Sequence, residues 1–214
     1  MVSEKILEVF TPVLNKRNVK KYLNLLKKHH RESYEHSLRV GLLCIYLGFE
    51  NSLPIKKIKL LCYAGLLHDI GKLHVSLSIL LKKSPLTEEE IKKVKEHPRQ
   101  GYLLLKDSEL KKVREIIISH HEYCNLSYPR NGEDRRRKKR SDRRNGNDFG
   151  ELAQILSVAD MYDALSHMRS YHEPLGCEEI RKIMDKQFRG KKSYIRQVIT
   201  KCLIDNPSQI NKSK

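Results

Sequence analysis

Tryptophan is absent from the sequence, and proline and glycine are sparse at 7 and 10 residues. Hydrophobic residues make up 39% and charged residues 32%, a balance that fits a water-soluble helical protein. No apolar run approaches the roughly 20 residues needed to cross a bilayer, which excludes a membrane span. The opening MVSEKILEVF alternates its charges and has no apolar stretch followed by a small-residue cleavage site, so no export signal is visible. Cysteine is scarce and unpatterned: Cys44, Cys62, Cys124, Cys177 and Cys202 are odd in number and form no CxxC pair. The expectation is reduced thiols in a cytoplasmic protein, and neither a disulfide frame nor a thiolate zinc site.

Acidic residues are the minority charge, with 26 Asp and Glu against 43 Lys and Arg and a net charge of +17. Such a surface favours anionic ligands, whether nucleotides, nucleic acid or acidic lipid heads, without choosing among them. Between Arg130 and Asp148 nine Lys or Arg stand against four acids, so most of the excess is spread over the rest of the chain. The segment Arg130–Gly150 is polar, basic and glycine-bearing, and reads as a mobile loop. It is either a solvated insertion or an anion-binding arm, since clustered guanidinium groups chelate phosphates. Nucleic-acid binding through Arg135–Arg144 is disfavoured because no aromatic side chain is interleaved to stack on bases.

Helical periodicity dominates what is present. Val19–Leu26 and Tyr34–Leu47 repeat apolar residues at three- and four-residue steps, and Ile55–Leu67 continues from Pro54 into LLHDIGK. Gly71 is expected to end that helix in the left-handed conformation. Thr87 with Glu90 forms a capping-box signal, and His97-Pro98 marks another start. Glu109–His121 and Gly150–Met168 are further helices, followed by two weaker ones after Cys177. No strand pair and no internal repeat is evident. The fold class is all-α. Residues 1–30 form a helical lead-in, 31–205 the main domain with its basic loop at 130–150, and 206–214 a polar tail.

The chemistry-bearing residues sit at helix ends or on helix faces. His68-Asp69 closes an apolar helix. Imidazole and carboxylate together suit borderline divalent metals such as iron, manganese, cobalt, nickel or zinc. Asp69 has two oxygens and could bridge two ions while His68 binds one of them. Glu32 and His36 are four residues apart and share one helical face. His97 precedes Pro98, His120 and His121 are adjacent, and Asp160 lies in the apolar stretch SVADMYDAL.

The order H…HD…H…HH…D, carried by ESYEHSLRV, LLHDIGK, LTEEE, EHPRQGYLLL, ISHHE, YP and LSVADMYDALSHMRSY, resembles the HD superfamily of metal-dependent phosphohydrolases. It is closest to the HD-GYP branch of cyclic di-GMP phosphodiesterases, and the resemblance covers Glu32 to Tyr171. It implies an HD-domain helical bundle with a metal centre in its core. Glu32, His36, His68, Asp69, His97, His120, His121 and Asp160 match the family's metal ligands, enough for two or three divalent ions, iron or manganese before others. Asp69 and Lys72 match the catalytic pair, with the lysine ammonium neutralising phosphate or assisting proton transfer. Arg169 matches a guanidinium clamp on the ligand phosphate, Tyr171 stacks or packs nearby, and His172 stands where relatives carry a basic residue. His29, His30, His74 and His167 match no ligand position and are read as structural or surface histidines.

The departures are local. Where the family reads HHE…DG-x-GYP, this chain has His120-His121-Glu122-Tyr123-Cys124-Asn125-Leu126-Ser127-Tyr128-Pro129, with Asn125 for the usual Asp and neither glycine. Arg169-Ser170-Tyr171 lacks the usual proline. The ligand set is thus retained and the recognition loop altered. The implied activity is hydrolysis of a cyclic dinucleotide, cyclic di-GMP by resemblance, by attack of a metal-bridging hydroxide on phosphorus. Two alternatives stay open. One is a non-catalytic module that binds a nucleotide or a signalling protein partner around a structural metal centre. The other is hydrolysis of another nucleotide or phosphorylated metabolite.

Overall fold

Two apolar stretches separated by a short turn form the scaffold of the molecule. In a computed structural model, which describes residues 2–106, 108–125, 148–167 and 174–205, they are the helices α3 (Arg31–Glu50) and α4 (Ile55–Leu67). Their backbones nearly touch where they cross: a Cβ added to Gly65 would lie 2.8 Å from the Cα of Gly41. Glycine at position 65 lets the helices approach that closely, while a Cβ at Gly41 would press on the Leu66 side chain at 3.0 Å. Around this pair the apolar faces of α3 and α4 are covered by α1 (Val2–Leu14) and α2 (Arg17–His29), which contribute Val9, Phe10, Val19, Leu23 and Leu26 to the same core. Full burial of a side chain such as Leu26 stabilises by about 1.5–3 kcal/mol.

After α4 the chain makes a 3₁₀ helix, η1 (Ile70–His74), then α5 (Leu77–Leu80), α6 (Glu88–Lys95) and α7 (His97–Leu104). The capping box at Thr87 is present: the Glu90 amide donates to Thr87 Oγ1 at 3.3 Å, and the Thr87 amide donates to Glu90 Oε2 at 2.7 Å. Pro98 lies in the first turn of α7, as the sequence predicts. A short 3₁₀ helix, η2 (Ser108–Leu110), leads into α8 (Lys111–Ile117). The next described helix, α9 (Asp148–Ser166), packs on α3, α4 and α8 and on the last two helices, α10 (Cys177–Gln187) and α11 (Ser193–Asp205). Among the described residues the only strand-like pairing is an isolated bridge between Cys124 and Phe188. The fold is all-α, and no helix of the described residues is long and apolar enough to cross a membrane.

Three expectations change. Helix α4 ends at Leu67, before Gly71, which lies inside η1 without a left-handed backbone. The glycine is there for space: a Cβ on Gly71 would stand 1.9 Å from the carbonyl oxygen of His97. The helix expected over Glu109–His121 stops at Ile117, and His120 and His121 occupy the turns that follow. The five thiols are not all reduced, since Cys177 on α10 is disulfide-bonded to Cys202 on α11. These cysteines are 25 residues apart, and only the packing of α10 on α11 brings their Cα atoms to 6.0 Å. Cys44, Cys62 and Cys124 are free. The basic loop, apart from the start of α9 at residues 148–150, and the tail 206–214 lie outside the described residues.

Candidate metal centre

Five segments deliver side chains to one buried point. His36 projects from the middle of α3, His68 caps α4 and Asp69 precedes η1. His97 opens α7, His120 and His121 follow α8, and Asp160 lies on α9. His36, His68, Asp69, His97 and His120 are all buried, with His121 and Asp160 at the more open side.

The imidazoles are oriented from behind. The Nδ1–H groups of His68 and His97 donate to the carbonyls of Gly65 and Val94, each at 2.8 Å, and that of His120 donates to the carbonyl of Ile117. His36 Nδ1 donates to Asp163 Oδ2 at 2.6 Å. Each of these Nδ1 atoms is therefore a donor, and each Nε2 is the nitrogen turned toward the cluster. Those nitrogens converge: His36 Nε2 lies 3.2 Å from His68 Nε2, and His97 Nε2 lies 3.3 Å from His120 Nε2. Lone pairs face one another at such distances only with a cation or proton between them. Two donors about 2.1 Å from one ion and about 100° apart are separated by about 3.2 Å, so the spacing fits a divalent metal.

The donors fall into two lobes joined by two carboxylates. Asp69 Oδ2 faces His68 Nε2 at 3.6 Å and His36 Nε2 at 3.7 Å, while its Oδ1 faces His97 Nε2 at 3.3 Å. Asp160 Oδ1 lies 3.0 Å from His36 Nε2 and 3.6 Å from His68 Nε2, and its Oδ2 lies 4.0 Å from His121 Nδ1. His36, His68 and Asp69 form one group that could hold an ion, His97, His120 and His121 a second, and His68, His120 and Asp160 a third that overlaps both.

Protonation states suit the same purpose. Burial pushes His97 down to about 3 and His120 to about 4, and holds His121 well below its ordinary value, so these rings are neutral at pH 7. Burial would also discharge His68, but Asp69 and Asp160 outweigh it and raise that pKa. Burial alone would protonate Asp69, yet Lys72 and the surrounding imidazoles hold it well below the usual carboxylate range. Asp160 is likewise held low against its burial, by hydrogen bonds to His36 and His68. A cation arriving here displaces whatever proton the cluster retains.

Lys72 lies at the rim, its Nζ donating to Asp69 Oδ2 at 2.6 Å. Glu32, one turn before His36, falls in none of the three groups; it lies in the wall of an adjoining cavity of about 410 Å³ that Lys72 also lines. Arg169, Tyr171, His172, Tyr128 and Pro129 lie outside the described residues.

A family model described as HD domain matches residues 20–192. The chain belongs to the HD domain family. This HD chain is 31% identical over 163 residues to a 3′3′-cGAMP-specific phosphodiesterase 2 of Vibrio cholerae, a match covering 74% of the chain and 29% of the relative. It is 32% identical over 162 residues to a cyclic di-GMP phosphodiesterase of Thermotoga maritima, covering 73% and 41% respectively. The chain thus spans less than half the length of these relatives. Among solved structures, the HD domain of the L. monocytogenes phosphodiesterase PgpH superposes with a TM-score of 0.55 at 18% identity, covering 89% of this chain and 98% of that one, a likeness of fold.

Two residues of the HD domain escape a reading of the sequence. Asp163 is fully buried and receives His36 Nδ1–H, while Arg39 donates to it through Nε at 2.8 Å and Nη2 at 3.0 Å. The sequence signal is its place one turn after Asp160 in an otherwise apolar stretch, because a buried carboxylate needs partners. His30 is the other. It caps α3 by accepting the Ser33 amide, and its side chain lines the cavity beside Lys72.

Proposed function

We propose that this HD domain is a metal-dependent phosphodiesterase that opens a cyclic dinucleotide, with cyclic di-GMP as the substrate. The reading rests on the paired lobes of imidazoles joined by Asp69 and Asp160. Two adjacent divalent ions, when bound, activate water and neutralise the oxygens of an attacked phosphate. His36 and His68 on one side and His97, His120 and His121 on the other would hold them. Each carboxylate offers one oxygen to either side.

The rest of the chemistry falls to the chain itself. Asp69 is fixed by Lys72, which keeps the carboxylate ionised and presents a second cationic group at the rim. A phosphodiester entering over that rim meets the Lys72 ammonium, which offsets the negative charge that grows on phosphorus-bound oxygen during attack. Water adds to phosphorus, one ribose O–P bond breaks, and the released ribose oxygen takes a proton. Burial of the cluster strengthens each of these interactions by excluding bulk water. Arg169, matched by resemblance to a phosphate clamp, would hold the same group.

Relatives that share this domain are named as cyclic di-GMP and 3′3′-cGAMP phosphodiesterases, which supports the substrate class. The test is to load purified protein with iron or manganese, measure metal content, and follow cyclic di-GMP by chromatography. Appearance of a linear product that depends on metal is the expected result. Saturable binding of cyclic di-GMP with no product after long incubation would overturn the reading in favour of a non-catalytic nucleotide-binding module.

A further inference from the structure

The cavity beside the cluster has two kinds of wall. Ile79, Leu86 and Val94 make it apolar, while Lys72, Lys82 and Lys83 against the single acid Glu32 leave it cationic on balance. At about 410 Å³ it falls within the range of roughly 300–1,000 Å³ usual for small-molecule sites. Because Lys72 also bonds Asp69, the cavity begins where the cluster ends.

One polar atom of this wall is unaccounted for. His30 is 92% buried, its relative exposure being 8%. Its Nδ1 accepts the Ser33 amide at 3.3 Å and lies 2.8 Å from Ser33 Oγ. A ring whose Nδ1 accepts a hydrogen bond carries its proton on Nε2. That Nε2–H is buried and has no acceptor among the described residues. An orphaned buried donor costs about 1–3 kcal/mol and is relieved by an acceptor supplied from outside the chain.

Resting on the phosphodiesterase reading, we propose that this cavity is a nucleoside subsite. It receives one purine of the cyclic dinucleotide between its apolar walls, with an acceptor on the purine edge facing His30 Nε2–H. Purines fit because N7, and in guanine also O6, are acceptors on a single edge. A flat base suits walls made of Ile79, Leu86 and Val94. A cyclic dinucleotide has two phosphates. With one at the cluster and a nucleoside in the cavity, the second phosphate returns along the cationic side of the wall, where Lys83 is exposed. An acyl chain would match the apolar walls but would leave both the donor and the lysines unused.

The test compares two substrates on the metal-loaded full chain: cyclic di-GMP, and bis(p-nitrophenyl) phosphate, which has no nucleoside. Leu86→Trp fills the cavity from a half-buried position. His30→Asn keeps an acceptor for the Ser33 amide and removes the ring donor. The readout is the ratio of kcat/KM for the two substrates, with thermal melting and metal content followed in parallel. The ratio is expected to fall at least tenfold in each variant, chiefly through KM for cyclic di-GMP. Wild-type protein that cleaves both substrates, with variants whose ratio is unchanged, overturns the subsite and leaves the phosphodiesterase reading standing. Wild-type protein that cleaves neither overturns both. A variant that loses activity on both substrates in equal proportion also counts against the subsite.

Discussion

Asp163 accepts the Nδ1–H of His36 at 2.6 Å, and this bond turns the opposite nitrogen of the ring toward Asp160 at 3.0 Å. Arg39 holds the same carboxylate through two of its nitrogens. The pair Arg39–Asp163 therefore sets the tautomer and the tilt of His36 without facing the cluster itself. Partners of this kind, behind a ligating histidine, are worth about 10–100-fold in metal affinity. Asp163→Asn is expected to weaken Mn²⁺ binding by about that factor, measured by titration calorimetry, while the helical circular dichroism signal is retained. Unchanged Mn²⁺ affinity in a folded variant would mean that His36 is not oriented by this bond.

The two lobes are not equivalent to mutation. Asp69 faces both, through Oδ2 on one side and Oδ1 on the other, whereas His97 faces only Oδ1. Asp69→Ala is expected to abolish metal retention, and His97→Ala to keep the ion on the side of His36 and His68. Metal content per chain, measured by mass spectrometry after dialysis, should drop to near zero in the first and to about half in the second. Equal losses in the two variants would remove the bridging role of Asp69.

Much of this centre can be read in the sequence, for a physical reason. Metal-binding side chains need particular residue types, and His68-Asp69 at the end of an apolar helix and His120-His121 after another announce themselves without a structure. What the sequence hides depends on distances across the fold. Arg39 and Asp163 are separated by 124 residues, and nothing in either neighbourhood names the other. Cys177 and Cys202 show no spacing motif, because the packing of α10 on α11 alone brings them together. His30 matches no ligand position and so reads as a structural or surface histidine; its second nitrogen becomes informative only once the surrounding atoms are known.

Metal-free protein should lose stability as the solution is acidified from neutrality. His97 and His120 are depressed by burial to about 3 and about 4 from an ordinary value of 6.5, and His121 is depressed too. Between those folded values and 6.5 the unfolded chain binds more protons, so their contribution is complete above about pH 6.5 and is lost as pH falls. His68, whose pKa is raised, acts in reverse: its contribution is full below 6.5 and disappears as pH climbs through its folded value. Asp69 and Asp160 are depressed and lose their contribution only below about 3.8. His30 and His167 are depressed as well, so the depressed rings outnumber the raised one and the urea midpoint is expected to be lower at pH 5 than at pH 7. A midpoint that is flat or higher at pH 5 would contradict these protonation states.

The position of η1 gives the sharpest link between backbone and chemistry. Gly71 has the His97 carbonyl oxygen 1.9 Å, and the Gly101 amide nitrogen 2.6 Å, from where a Cβ would stand. Both obstacles are backbone, so no rotamer change can relieve them, and η1 and α7 must separate. Asp69 precedes η1, Lys72 lies on it, and His97 opens α7. The separation therefore pulls apart groups that lie 3.3 Å from each other across the second lobe. Gly71→Ala is expected to cost on the order of 3 kcal/mol or more, because overpacking against backbone cannot be absorbed by side chains. It should also weaken metal binding beyond what the stability loss explains. Denaturant unfolding gives the first quantity. Mn²⁺ titration at a temperature where the variant is fully folded gives the second. A variant that binds Mn²⁺ like wild type would show that the close contact of η1 with α7 serves packing and does not hold Asp69 against His97.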